Sequence, residues 1–210
     1  MNNKRPCAIL CGLLALLTVA TGARAATEGP LQHANVNVRD TAAIQRGAKL
    51  FVNYCFSCHS ASYMRYNRLA DDLGLGEELV MRNLVFADAK IGDTMDIAMR
   101  PADAEEWLGK APPDLSLSAR SRGADWLYTY FLTFYRDETG GWNNLMLPNA
   151  SMPHVLWQMQ GIQEPVYADH DGRRVIEHLQ LAELGLQSPE EYAASMRDLV
   201  TFFEYLSEPA

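Results

Sequence analysis

The chain has 210 residues with 18 basic and 26 acidic side chains, a formal net charge of −8. That balance excludes a nucleic-acid partner, which would need a basic face, and suits a basic protein partner drawn in by the field. The length suits one domain behind a short leader.

The first 25 residues read as that leader. Lys4 and Arg5 give a positive start, Cys7 to Ala20 is an apolar run, and Ala23-Arg24-Ala25 offers a cleavage site. The run is shorter than the ~20 residues of a spanning helix, so residues 1–25 are expected to be a secretory signal peptide. The mature chain, 26–210, then holds 15 basic residues against 26 acidic ones, a net charge near −11. It keeps only Cys55 and Cys58 of the four cysteines.

Residues 26–40 lack a helical period and read as an irregular arm. A helix is expected from Asp40 or Thr41, either of which can cap it. Ile44, Gly47, Ala48, Phe51 and Cys55 recur along it at spacings of three and four. Gly47 inside a helix calls for a closely packed neighbour.

That helix delivers Cys55-Phe56-Ser57-Cys58-His59. Thiols three residues apart face one side of a helical turn, so both can add to the two vinyl groups of one haem while His59 ligates the iron. This is the c-type haem attachment signature. Zinc would need about four protein ligands, and there is no second Cys-x-x-Cys. A thioredoxin-like pair would sit in a βαβ setting, which the pattern lacks. A plain disulfide is the remaining rival, and the export signal favours haem over it.

Ser60 to Leu69 is polar and aromatic together, suited to a haem edge. A helix is expected over Glu77 to Phe86, and the signal from Ala87 to Arg100 is weak. Pro101 ends what precedes it. Ala102 to Leu108 is a short acidic helix, and Pro112-Pro113-Asp114 breaks the chain and can cap the next segment. Leu115 to Tyr135 reads as one long helix with an aromatic stripe of Trp126, Leu127, Tyr130, Phe131, Phe134 and Tyr135. Asp137 to Pro153 is loop, His154 to Gln160 one helical turn, and Pro165 to Gly172 can form a small hairpin with Val175 to Leu179. Ser188-Pro189-Glu190-Glu191 is a capping box. It opens a last helix with Tyr192, Met196, Leu199, Val200, Phe203 and Leu206 on one stripe, stopped by Glu208-Pro209. These elements predict an all-α fold.

An electron carrier fills the iron's second axial position with a protein ligand, and methionine there raises the potential. Outside the leader the candidates are Met64, Met81, Met95, Met99, Met146, Met152, Met159 and Met196. Those on helical stripes read as core gap-fillers. Met152 lies in an irregular loop between Pro148 and Pro153, stiff enough to hold a thioether over a haem face. Met146 is the runner-up, and His154 and His33 are imidazole alternatives.

The motif set resembles the cytochrome c1 family, the c-type haem subunits of cytochrome bc1 complexes, in a proteobacterial form. Its parts are Cys55-x-x-Cys58-His59-Ser60, Met64-Arg65-Tyr66-Asn67-x-Leu69, Met99-Arg100-Pro101 and Pro112-Pro113-Asp114-Leu115-Ser116. They continue with Ala119-Arg120, Leu132-Thr133-x-Tyr135, Met152-Pro153-His154 and Glu208-Pro209. The resemblance implies one haem c bound through Cys55 and Cys58, in a cytochrome c-like single domain with inserted loops. It implies His59 and Met152 as axial ligands, Arg120 against a haem propionate, and Tyr66, Pro113 and Trp126 beside the ring. It places Gly47 and Phe51 against the last helix near Phe203.

The implied function is electron transfer from a Rieske iron–sulfur protein to a c-type cytochrome, beside a cytochrome b subunit, on the periplasmic side of the bacterial inner membrane. Such proteins continue past the Glu-Pro into a membrane helix, so at Ala210 the expectation is either truncation or attachment through partners alone. An independent periplasmic monohaem cytochrome c is the alternative. A haem peroxidase, with His154 as its distal group, is the other.

Overall fold

A computed structural model describes residues 30–86 and 88–208. The expected signal peptide and Pro209 lie outside them. In chain order the helices are α1 (Thr41–Tyr54), α2 (Tyr66–Leu73), α3 (Glu77–Leu84), α4 (Pro101–Leu108), α5 (Ser118–Arg122), α6 (Ala124–Leu132), α7 (Trp157–Gln160) and α8 (Pro189–Ser207). The strands are β1 (Ala61–Arg65), β2 (Thr94–Met95), β3 (Phe134–Arg136), β4 (Trp142–Asn144), β5 (Gly161–His170) and β6 (Arg173–Leu184).

The frame is α1 crossed on α8. Asp40 caps α1 by accepting from the Ala43 amide at 3.0 Å. The capping box closes α8: Ser188 Oγ accepts from the Glu191 amide at 3.2 Å, and Glu191 Oε2 accepts from the Ser188 amide at 2.8 Å. Gly47 sits at the crossing. A Cβ there would lie 2.2 Å from the Asp198 carbonyl oxygen and 2.7 Å from Phe202 Cβ, so only glycine lets the two backbones approach. One turn on, the Phe51 ring lies 5.4 Å from Phe202 and 5.9 Å edge-on from Phe203. Phe51, Met196, Leu199, Val200 and Phe202 are fully buried, and burial of such side chains stabilises by roughly 1.5–3 kcal/mol each.

The expected all-α class is corrected. The fold is mixed, 42% helix and 20% strand, with three two-stranded antiparallel sheets among the described residues, β1–β2, β3–β4 and β5–β6. Each sheet lies in a stretch that lacks strict apolar–polar alternation. The β5–β6 hairpin has register shifts at Ile162/Gln163 and Val166/Tyr167, and most of β6 is exposed, so neither strand presents one apolar face to be read. It contains the expected hairpin, with Pro165 opposite Leu179, and extends beyond it to Gly161 and Leu184. It is tied to the body instead: Gln163 Nε2 donates to the Leu132 and Phe134 carbonyls, both at 2.9 Å.

The long helix expected over Leu115–Tyr135 is also divided. Gly123 takes φ 89°, ending α5 and opening α6 at an angle that an L side chain resists. The stripe then finishes in β3 rather than in helix. Among the described residues no helix is long and apolar enough to cross a membrane.

Candidate haem site

The α1 helix ends where the site begins. The Cys55 amide donates to the Phe51 carbonyl at 2.8 Å, the last turn of α1. The Cys58 and His59 amides then both donate to the Cys55 carbonyl, at 3.0 and 2.9 Å. This turn sets the two thiols and the imidazole on one short stretch. Both cysteines are unbridged, Cys55 buried and Cys58 half-buried. Burial, with Cys58 second, pushes the Cys55 thiol up to about 12.

His59 is oriented from behind. Its Nδ1 pairs with the Pro113 carbonyl oxygen at 2.7 Å. A carbonyl only accepts, so Nδ1 carries the proton and Nε2 keeps its lone pair. Burial holds the imidazole below its usual range, with the Pro113 bond and the Asp114 charge acting the other way. A neutral ring with a fixed tautomer and a bare Nε2 is the form that ligates a metal.

The loop carrying Pro113 is bound to the chain that follows His59. The Leu115 amide donates to the Ser60 carbonyl at 2.8 Å. Asp114 accepts twice, from the Ser62 amide on Oδ2 at 2.9 Å and from the Ser116 amide on Oδ1 at 2.8 Å. The Tyr63 amide donates to Ser116 Oγ at 3.1 Å, and the Ile97 amide to Ser60 Oγ at 3.0 Å. Burial opposes ionisation of Asp114, but the bonds from Ser116 and Ser62 outweigh it and hold the carboxyl below its usual range.

A second cluster is aromatic. Met152 is partly buried against the core, and the Tyr130 hydroxyl donates to its sulfur at 3.4 Å. Tyr130 stacks on Trp126, centroids 5.2 Å apart and 10° from parallel. Its edge contacts are Phe131 at 5.5 Å and Phe134 at 4.9 Å. Burial pushes the Tyr130 phenol up to about 12, so it remains a donor. His154 stacks on Phe134 at 4.7 Å and meets Trp142 edge-on at 5.2 Å. Burial lowers His154 to about 4, with Gln160 opposing.

The expected site residues therefore fall into linked groups. Cys55, Cys58, His59 and Pro113 are brought together by direct bonds, and Met152 is joined to Trp126 through Tyr130. Tyr66 is buried at the start of α2, with its amide on the Asp93 carbonyl at 3.2 Å. Arg120 is tied to the end of α8: its Nε donates to Glu208 Oε1 at 2.7 Å, and its amide to Ser207 Oγ at 3.4 Å. Among the other methionines, Met146 is buried with its amide on Asn144 Oδ1 at 2.8 Å, and Met64, Met95, Met159 and Met196 are core. Residue reading missed the roles of Asp114 and Tyr130. The four-residue spacing of Trp126 and Tyr130 on one helix was the available signal for the second.

The family model described as the Cytochrome C1 family matches residues 32–173, most of the chain. The chain belongs to the cytochrome c1 family. It is 49% identical over 184 residues to the cytochrome c1 of Allochromatium vinosum, covering 85% of this chain and 75% of that one. It is 45% identical over 184 residues to a Nitrosomonas europaea protein named as an ammonia monooxygenase gamma subunit, 87% of this chain and 75% of that one. A Bradyrhizobium diazoefficiens cytochrome b/c1 is 28% identical over 197 residues, 81% of this chain and 29% of that one.

Cytochrome c1 is the haem-bearing electron-transfer subunit of the cytochrome bc1 complex. Its c-type haem is covalently bound, and Cys55 and Cys58 occupy the attachment positions here. The donor set fits that group: two unbridged thiols three residues apart, and an imidazole whose Nδ1 is engaged and whose Nε2 is left for iron.

Proposed function

We propose that the chain, after loss of residues 1–25, is a single haem domain over 26–210 that passes one electron at a time between a Rieske iron–sulfur protein and a c-type cytochrome. Bound haem supplies the Fe(III)/Fe(II) couple. The residues supply ligands, a fixed imidazole tautomer and a dry surround. His59 and Met152 would hold the iron, and Arg120, bonded to Glu208 through Nε, would offer the rest of its five-donor fork to a propionate. Tyr66, Pro113 and Trp126 line the ring. The 2.7 Å bond between His59 Nδ1 and the Pro113 carbonyl carries this reading, because it fixes a ligand for one metal position without providing any proton path.

The position of Met152 at the core edge, under a tyrosine hydroxyl, supports it over the deeply buried Met146 as sixth ligand. The burial and stacking of His154 favour the carrier over a peroxidase. The name cytochrome b/c1 of the Bradyrhizobium relative supports a cytochrome b partner. Relatives named as a cytochrome c1 and as an oxygenase subunit match over the same length, so the reading rests on the residues rather than on either name. The site then faces the periplasm, held at the inner membrane within the complex.

The test is Met152→Ala, matured with haem in a periplasmic host beside the wild type. The ferric wild type is expected to show the weak red band of iron-bound thioether. The variant should lose it and bind carbon monoxide readily when reduced. An unchanged spectrum would place the sixth ligand elsewhere.

A further inference from the structure

Taking Met152 as the axial ligand proposed above, we infer that Tyr130 is a positioning residue that tunes the iron through the Met152 sulfur. Its hydroxyl donates to Sδ at 3.4 Å. A thioether sulfur has two lone pairs. One would hold the iron while the other accepts the hydrogen bond from the hydroxyl. The bond draws charge from sulfur and weakens its donation to Fe(III) more than to Fe(II). The reduced state is thereby favoured, in the same direction as the thioether itself.

The ring is held independently of that bond. Trp126 stacks on it, and Phe131 and Phe134 meet it edge-on. The Tyr130 carbonyl also accepts from Asn144 Nδ2 at 2.7 Å, which fixes the end of α6 to the loop that leads to Met152. Tyr130 is 7% exposed. A buried hydroxyl needs a partner, and the Met152 sulfur supplies one. Tyr205 gives the contrast. Its hydroxyl lies 3.9 Å from the Met64 sulfur but 2.8 Å from Asp72 Oδ2, so its proton goes to the carboxylate and the sulfur contact is incidental.

Tyr130→Phe removes the hydroxyl and keeps the stack. In the haem-loaded full chain the ferric red band should persist. The Fe(III)/Fe(II) ratio at a fixed electrode potential should rise about three- to tenfold, tenfold being 59 mV for one electron. Added imidazole should displace the sixth ligand less readily. Tyr205→Phe should leave the potential unmoved. If both wild type and Tyr130→Phe show the red band and their potentials agree within twofold in that ratio, Tyr130 has no tuning role, while the ligand reading survives. If the wild type lacks the band, the ligand reading fails and takes the tuning role with it. Should the variant not accumulate, proton NMR of the ferrous wild type decides. A slowly exchanging hydroxyl proton close to the Met152 methyl supports the role, and its absence overturns it.

Discussion

The two flanks of the proposed haem site are built from different materials. Behind His59 the contacts are polar and directional: Pro113, Asp114, Ser60 and Ser116 tie two loops together through backbone groups. Around Met152 they are aromatic: Tyr130, Trp126, Phe134, His154 and Trp142 pack ring on ring. A hydrogen bond fixes an angle, so the polar flank determines which imidazole nitrogen keeps its lone pair for the proposed iron. Ring packing fixes volume and excludes water but tolerates small displacements. If His59 and Met152 hold the iron as proposed, the imidazole has the first kind of support and the flexible thioether the second.

The largest break should come from the aromatic flank. Phe134 is 1% exposed and touches both Tyr130 and His154. Phe134→Ala is expected to cost about 3–5 kcal/mol in denaturant unfolding and to open the ferric iron to added imidazole. Gly47→Ala attacks the frame beneath the other flank. Its Cβ would overlap the Asp198 carbonyl, and a loss of about 3 kcal/mol is expected, with the haem spectrum retained in the fraction that folds.

Asp114→Asn sharpens the contrast at lower cost. Asparagine keeps one acceptor but turns an N–H donor toward a backbone N–H. About 1–2 kcal/mol should be lost at pH 7, with a shift in potential as Pro113 moves relative to His59. Because the folded carboxyl is held below its usual range, its contribution is complete above about pH 4 and disappears as pH falls through the depressed value. Wild type and variant should therefore converge in acid, as read by unfolding at pH 7, 4 and 2.5. Smallest of all, Glu164→Gln removes an exposed partner of Arg136 on the hairpin and should move neither the melting temperature nor the haem potential.

Much of the frame was legible in the sequence because its signals are local. Asp40, one of the two caps expected for α1, and Ser188 cap their helices, and Gly47 marks the close crossing it makes with α8. The haem motif was legible for the same reason: five consecutive residues carry it. The interior of the site was less so. In the sequence Asp114 is a chain break, a cap candidate and a motif letter; Leu117, not Asp114, takes the N-cap position of α5, and the two acceptor bonds of Asp114 reach Ser62, fifty-two positions back, as well as Ser116. Tyr130 was one letter in an aromatic stripe until the fold brought Met152 to its hydroxyl, twenty-two positions on. Of the strands, only the Pro165–Leu179 part of the β5–β6 hairpin is legible; the rest are not, because tertiary ties, such as Gln163 to the Leu132 carbonyl, stabilise them where alternation does not.

The central claim is an iron held between His59 and Met152. Near-infrared magnetic circular dichroism of the ferric holoprotein, wild type beside Met152→His, tests it most directly. The account predicts a thioether–iron charge-transfer band in the wild type, replaced in the variant by the band of two imidazoles, with a lower potential. The same spectrum and potential in both proteins would contradict it.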